Sequence, residues 1–86
     1  MQRFWFEFAV EDPRSLPAGT RMGCGVTANS EEEALDFLKE RVFKGQPLPA
    51  IGKKVLDVDV ETLDANHVRP NMGNPATRGV WFPLGY

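Results

Sequence analysis

The only long run with helical character is SEEEALDFLKERVFK, at residues 30–44. Ser30 is a good N-cap, and Glu33 stands three residues later, so the two side chains can form a capping box. Apolar residues recur at helical spacing and define one stripe: Ala34, Leu35, Leu38 and Val42. Gly45 suits the left-handed position that ends a helix, and Pro47 prevents continuation. The sequence therefore predicts one amphipathic helix over residues 30–44.

The segments on both sides of this helix alternate between apolar and polar residues, as half-buried strands do. Four strands are predicted, at residues 3–10, 20–28, 54–61 and 79–82. In the first strand, Phe4, Phe6 and Phe8 share one face, which is expected to pack on the helix stripe. In the second strand, Gly23 and Gly25 lie on the opposite face and permit another group to approach closely.

The element order ββαββ is typical of a small α+β domain. The first two strands are expected to form a hairpin, and the helix returns the chain so that the third strand lies antiparallel beside the first. We therefore predict a mostly antiparallel four-stranded sheet in the order 2-1-3-4, with the helix packed on one face. Residues 1–86 are predicted to form a single domain.

Composition narrows the classes of function. Ten basic and twelve acidic side chains leave a net charge of −2, which lacks the basic footprint of a nucleic-acid-binding protein. No apolar run is long enough to span a membrane, and the first residues do not resemble a signal peptide. The single cysteine, Cys24, cannot form an intrachain disulfide. We predict a cytoplasmic protein without a cofactor or a resident metal. A nucleotide cofactor is not expected, because Gly23-Cys24-Gly25 lacks the third glycine of a nucleotide-binding fingerprint.

Two tryptophans provide the most informative pattern. By the alternation of their strands, Trp5 and Trp81 both lie on the sheet face opposite the helix, beside Gly23 and Gly25. One helix cannot cover both faces of a sheet, and tryptophan is enriched at binding hot spots. Two arrangements remain open: the face is an interface for a partner or a second copy, or the 62–78 loop folds across it and buries both rings.

An acidic ladder is predicted on the third strand, where Asp57, Asp59 and Glu61 alternate with apolar residues. Its oxygen atoms suit a hard cation or a basic partner, and a solvated strand face is the alternative. Arg69 and Arg78 are expected to pair with this ladder.

His67 is the only histidine and lies in the irregular segment 64–78. Histidine is a common general base in enzymes, so a general-base role is one hypothesis for this residue. A nucleophilic pair with Cys24 requires hydrogen-bond reach, which the sequence does not show. The segment's asparagines are expected to hold turns through hydrogen bonds from side chain to backbone: Asn66, Asn71 and Asn74.

We therefore predict a non-enzymatic protein-binding module of the immunity, antitoxin, inhibitor or accessory type, binding a partner protein or forming a homodimer. The interface residues expected are Trp5, Trp81, Arg69, His67, Arg78, Asp57 and Asp59. The alternative hypothesis is a small enzyme or ligand-binding domain that uses His67, Arg69 and the Asp57/Asp59/Glu61 face. A nucleic-acid-binding role ranks third, because the acidic residues repel phosphates.

Overall fold

The computed structural model describes residues 1–12 and 14–86, and it confirms the α+β class. One helix packs on an antiparallel sheet, and a π-helical turn at Leu38–Val42 continues that helix. The elements are β1 (Gln2–Phe8), β2 (Cys24–Ala28), α1 (Glu31–Phe37), β3 (Ile51–Leu56) and β4 (Gly79–Phe82). In the described part of the chain, every helix is too short or too polar to cross a lipid bilayer.

Both ends of the helical segment follow from local chemistry. The Ser30 hydroxyl accepts a hydrogen bond from the Glu33 amide at 3.1 Å, as the capping box predicts. The Glu33 carboxylate reaches one residue further back than expected and accepts from the Asn29 amide at 3.0 Å. Helical structure ends at Val42, two residues before the predicted end, because Lys44 (φ 55°) and Gly45 (φ 85°) are left-handed.

The helix-side core contains the residues that the alternation assigned to it. Its members are Phe4, Phe6, Cys24, Val26, Ala28, Ala34, Leu38, Val42 and Phe43. Burial of each large apolar side chain contributes roughly 1.5–3 kcal/mol, so this layer supplies much of the stability. Burial also raises the pKa of the Cys24 thiol to about 12, which keeps that thiol protonated and unreactive.

The sheet order is β3-β1-β2-β4, so one part of the predicted topology is wrong. β1 pairs antiparallel with both β2 and β3, as expected. β4, however, pairs with β2, placing Phe82 beside Gly25, and does not lie beside β3. The reason is the route of residues 57–78: they cross the sheet face opposite the helix and deliver β4 to the far edge.

The third strand lies earlier than predicted, at 51–56 and not at 54–61. Asp57 adopts a left-handed conformation (φ 50°) that turns the chain out of the sheet. The Val58 amide then donates to the Arg3 carbonyl at 3.1 Å, and the Val58 side chain is buried with the tryptophans. Leu56 and Val58 therefore lie on opposite faces, whereas the predicted alternation placed them together.

Candidate functional site

Both tryptophans lie on the predicted face, but that face is covered. Trp5 is 3% exposed and Trp81 is 2% exposed. Side chains from the crossing segment pack against them: Val58, Val60, Leu63, Val68 and Met72. The expectation of an exposed aromatic face is wrong, and the alternative, a loop that buries both rings, is confirmed.

The packing of the two rings depends on two glycines, Gly25 within β2 and Gly23 just before it. The Trp5 and Trp81 ring centroids are 6.2 Å apart. A Cβ atom placed on Gly23 would come within 2.7 Å of the Trp5 ring, and one on Gly25 would overlap the Trp81 ring. The close approach that the sequence assigned to these glycines is therefore made by indole rings.

The two indole N–H groups differ in their partners. Trp5 Nε1 donates to Glu7 Oε2 at 2.9 Å. Trp81 Nε1 is buried and finds no acceptor among the described residues. A buried N–H without a partner is unfavourable, so Trp81 is retained here by apolar packing alone.

The acidic ladder does not form. Asp57 lies in the turn after β3 and accepts a 3.4 Å hydrogen bond from Gln2 Nε2. Asp59 caps a 3₁₀ turn at Val60–Thr62 by accepting from the Glu61 amide at 3.0 Å. Within residues 1–12 and 14–86, no three histidine, cysteine or acidic side chains are grouped as metal ligands. Asp59 therefore holds a turn, Asp57 contacts the start of β1, and the predicted ladder residues do not share one strand face.

Arg78 pairs with the helix and not with the predicted ladder. Its guanidinium donates to both carboxylate oxygens of Glu33, at 2.9 and 2.7 Å. The same guanidinium lies over the Phe37 ring, 5.2 Å from its centroid. This pair joins the start of β4 to the first turn of α1, so the role of Arg78 in this structure is to join those two elements.

Acid is expected to weaken this link. The bonds from Arg78 and from the Asn29 amide lower the pKa of Glu33 from 4.5 to about 2. A carboxyl with a lowered folded-state pKa adds stability above its ordinary pKa and loses it as the pH falls toward the folded value. The free energy of unfolding should therefore decrease from about pH 4.5 toward pH 2. Urea unfolding across this range, compared between the native chain and Arg78→Leu, tests the prediction, and an unchanged slope in the variant would contradict it.

His67 is exposed on the crossing segment, and its neighbours define a turn. Asp64 Oδ1 accepts from the Asn66 and His67 amides at 2.7 and 2.8 Å, which lowers the pKa of Asp64. His67 Nδ1 lies 3.4 Å from the same oxygen. Cys24 is buried in the helix-side core, on the other side of the sheet, so the Cys24–His67 pair is excluded.

The remaining polar residues of this segment act as turn formers. Asn71 Nδ2 donates to the His67 carbonyl at 2.8 Å, and Asn74 Oδ1 accepts from the Ala76 amide at 2.9 Å. The turn roles predicted for Asn71 and Asn74 are confirmed, whereas Asp64 takes the role expected of Asn66. Arg69 is exposed in a 3₁₀ turn at Arg69–Asn71.

An open groove of about 710 Å³ lies between this segment, the loop before β2 and the residues after β4. We call it the Met22–Leu84 groove. Leu84, which lines this groove, is 66% exposed, and Met22, which also lines it, is exposed as well. The other residues that shape it include Arg21, His67, Asn71, Phe82 and Tyr86. The Tyr86 hydroxyl donates to the Ala18 carbonyl at 2.8 Å and joins two walls of the groove.

Of the predicted site residues, only His67 lines this groove. Sequence reasoning missed Arg21 and Met22, because both were assigned to a strand that begins only at Cys24. It also missed Leu84. A leucine between Pro83 and Gly85 is a sign of an exposed apolar side chain, because turn segments place their side chains in solvent. Asp57, Asp59 and Arg69 lie outside the groove lining.

Comparison of the chain with known protein families, with curated proteins and with solved structures found no match.

Proposed function

We propose that this protein is a protein-binding module, and that the Met22–Leu84 groove accepts an extended segment of its partner. The observation that supports this most directly is that two exposed apolar side chains, Leu84 and Met22, line one groove. Exposed apolar side chains rimmed by polar groups mark interaction sites. An immunity, antitoxin or inhibitor role is the specific form of this proposal, in which the partner is a larger protein.

The charges at the groove favour an acidic partner. Among the described residues that line it, the charged side chains are Arg21 and, when protonated, His67, and there is no aspartate or glutamate. Asp64, 3.4 Å from His67, offsets part of the imidazolium charge. Arg21 therefore supplies the constant positive charge, and Leu84 and Met22 supply the apolar contacts. The expected segment combines one or two carboxylates with a large apolar side chain.

Selection from a library of random twelve-residue peptides displayed on phage tests this proposal. We expect enriched peptides to carry an acidic residue near a leucine, phenylalanine or tryptophan. Leu84→Glu should weaken binding of a selected peptide by at least about tenfold, because a hot-spot contact is worth about 2 kcal/mol or more and about 1.4 kcal/mol already corresponds to tenfold. Arg21→Glu should also weaken it, with most of the loss in the association rate and at low salt. Calorimetry and surface plasmon resonance measure these two effects.

Leu56→Glu is the matched control, because it places the same substitution at another exposed leucine, outside the groove. Its peptide affinity should equal that of the native chain. Selection of peptides without acidic residues, or equal losses in Leu56→Glu and Leu84→Glu, would contradict the proposal. Unchanged circular dichroism in each variant shows that the fold is intact.

A second candidate function is the binding of a small anionic ligand at the same groove. It is supported by the groove volume, which falls within the range of ligand sites, roughly 300–1,000 Å³, and by the two basic side chains. The pairing of His67 with a carboxylate also resembles the arrangement that orients a general base. Ligand-detected NMR with a panel of small carboxylates and phosphates, repeated on Arg21→Gln, separates this candidate from the peptide-binding function.

A further inference from the structure

A separate surface lies at the outer edge of β3. No strand of residues 1–12 or 14–86 pairs with this edge. The helix packs over the other half of the sheet, so the helix-side face of β3 is uncovered: Leu56 is 53% exposed, and Ile51 is also exposed. An uncovered edge with apolar side chains is a template for strand pairing.

The backbone shows which amides of this edge are free to pair. Arg3 and Ala9 direct their backbone groups toward β3, where they bond to Val58 and Ala50. By alternation, Trp5 and Glu7 do the same, and they are opposite Val55 and Lys53. The backbone groups of Lys54 and Leu56 therefore point away from the sheet.

Few registers are possible if a second copy pairs antiparallel with this edge through a two-fold axis. Residues whose backbone groups point away from the sheet must lie opposite such residues in the second copy. This condition allows the two-fold axis to pass through Lys53, Lys54, Val55 or Leu56. An axis at Lys53 or Lys54 opposes identical lysines, which is unfavourable. An axis at Leu56 retains only one hydrogen-bonded pair, because the chain leaves the sheet at Asp57.

An axis at Val55 satisfies all these conditions. Lys54 then pairs with Leu56 of the second copy. Asp57, in the turn that follows β3, lies near Lys53 of the second copy, so the charges at this end of the interface are complementary. The two exposed Leu56 side chains approach each other on the helix side. The Lys54 ammonium remains 2.7 Å from Glu31 of its own chain, directed away from the apolar contact.

We propose that β3 is a self-association edge, where two copies of this chain form a continuous eight-stranded sheet with Val55 on the two-fold axis. The interface has about four backbone hydrogen bonds and little apolar area, since hydrogen-bonded pairs contribute two bonds each. It therefore forms a weak dimer, with a Kd on the order of 0.1 mM. This surface is distinct from the Met22–Leu84 groove and does not rest on the function proposed there.

Disulfide trapping tests the register directly. Cα atoms of a non-hydrogen-bonded pair lie about 4.5 Å apart, within the range for a disulfide. Val55→Cys should therefore form a covalent dimer under mild oxidation. Lys53→Cys is the matched control, because that position and its copy would be about 14 Å apart in the same register. The native chain gives the background level of disulfide-linked dimer, which should be low because Cys24 is fully buried.

Sedimentation equilibrium tests the dimer itself. Chain concentrations from 10 µM to 1 mM extend about tenfold below and about tenfold above the expected Kd. Leu56→Lys should raise the dimer Kd at least about tenfold, because it removes the apolar contact and places a like charge opposite Lys54 of the second copy. Leu84→Glu should leave the dimer Kd unchanged. A monomer at all concentrations would overturn the proposal, as would equal trapping of the two cysteine variants. Loss of the dimer in Leu84→Glu alone would instead assign self-association to the groove.

Discussion

Replacing Trp81 by alanine is expected to lower the free energy of unfolding by about 3–5 kcal/mol, the usual cost of removing a buried tryptophan. The ring lies between Gly25 of the sheet and the crossing segment, and it contacts a cluster that includes Trp5 and Phe82. A chain of 86 residues has a total stability of roughly 4–13 kcal/mol, so the variant loses a substantial part of it. Urea unfolding followed by circular dichroism measures the change, and the Tm should fall by roughly 12–40 °C.

Phenylalanine substitutions separate packing from hydrogen bonding in this prediction. Trp5→Phe removes an indole that donates to Glu7, whereas Trp81→Phe removes an N–H without an acceptor among the described residues. Trp5→Phe should therefore be the more destabilising of the two, by roughly 1 kcal/mol. A Trp81→Ala protein that keeps its Tm but loses association with a partner would show that this ring belongs to an interface and not to the core.

Gly25→Val is expected to destabilise the fold by about 3 kcal/mol or more, the upper end of the usual cost of overpacking. A Cβ at this position overlaps the Trp81 ring at three atoms: Cε3, Cζ3 and Cη2. Gly25 lies within β2, where valine has a far better strand propensity than glycine. Local preference therefore predicts a more stable protein and packing predicts a less stable one, so the sign of the change in Tm decides between them.

A double-mutant cycle identifies the clash as the cause. Gly25→Ala alone should cost about 1–3 kcal/mol. In a Trp81→Leu background, where the six-membered ring is absent, the same substitution should cost little. The coupling energy between the two substitutions is then expected to be about 0.5–3 kcal/mol. Strictly additive effects would show that the cost of Gly25→Ala does not come from a clash with the Trp81 ring.

Much of the fold could be predicted from local patterns. Ser30, Glu33 and Gly45 mark the ends of the helix because capping depends on residues only a few positions apart. The alternation in β1 and β2 assigns Phe4, Phe6 and Cys24 to the helix side and Trp5 to the other side, and the alternation in β4 assigns Trp81 to that other side as well. These inferences hold because side-chain direction in a strand has a period of two, whatever the strand pairs with.

The site was less predictable than the fold. His67 lies at the groove, but Arg21 and Met22 lie in a turn before β2 and Leu84 lies in a turn after β4. The exposure of side chains in such turns depends on what packs beside them. Arg78 and Glu33 are far apart in sequence, and only the position of β4 beside β2 brings them together. Oppositely charged residues are numerous in any chain, so charge alone did not predict this pair.

By itself, the sequence determined the helix, the number and direction of the strands, and the faces on which the phenylalanines of β1 and the two tryptophans lie. The tertiary structure decided the position of β4, the path of residues 57–78 and the burial of Trp5 and Trp81. Local patterns could not decide the position of β4, because the free edges of β2 and β3 can form equivalent backbone hydrogen bonds with a last strand. Covering two indole rings favours the edge beside β2, because only a chain that crosses the open face can bury them.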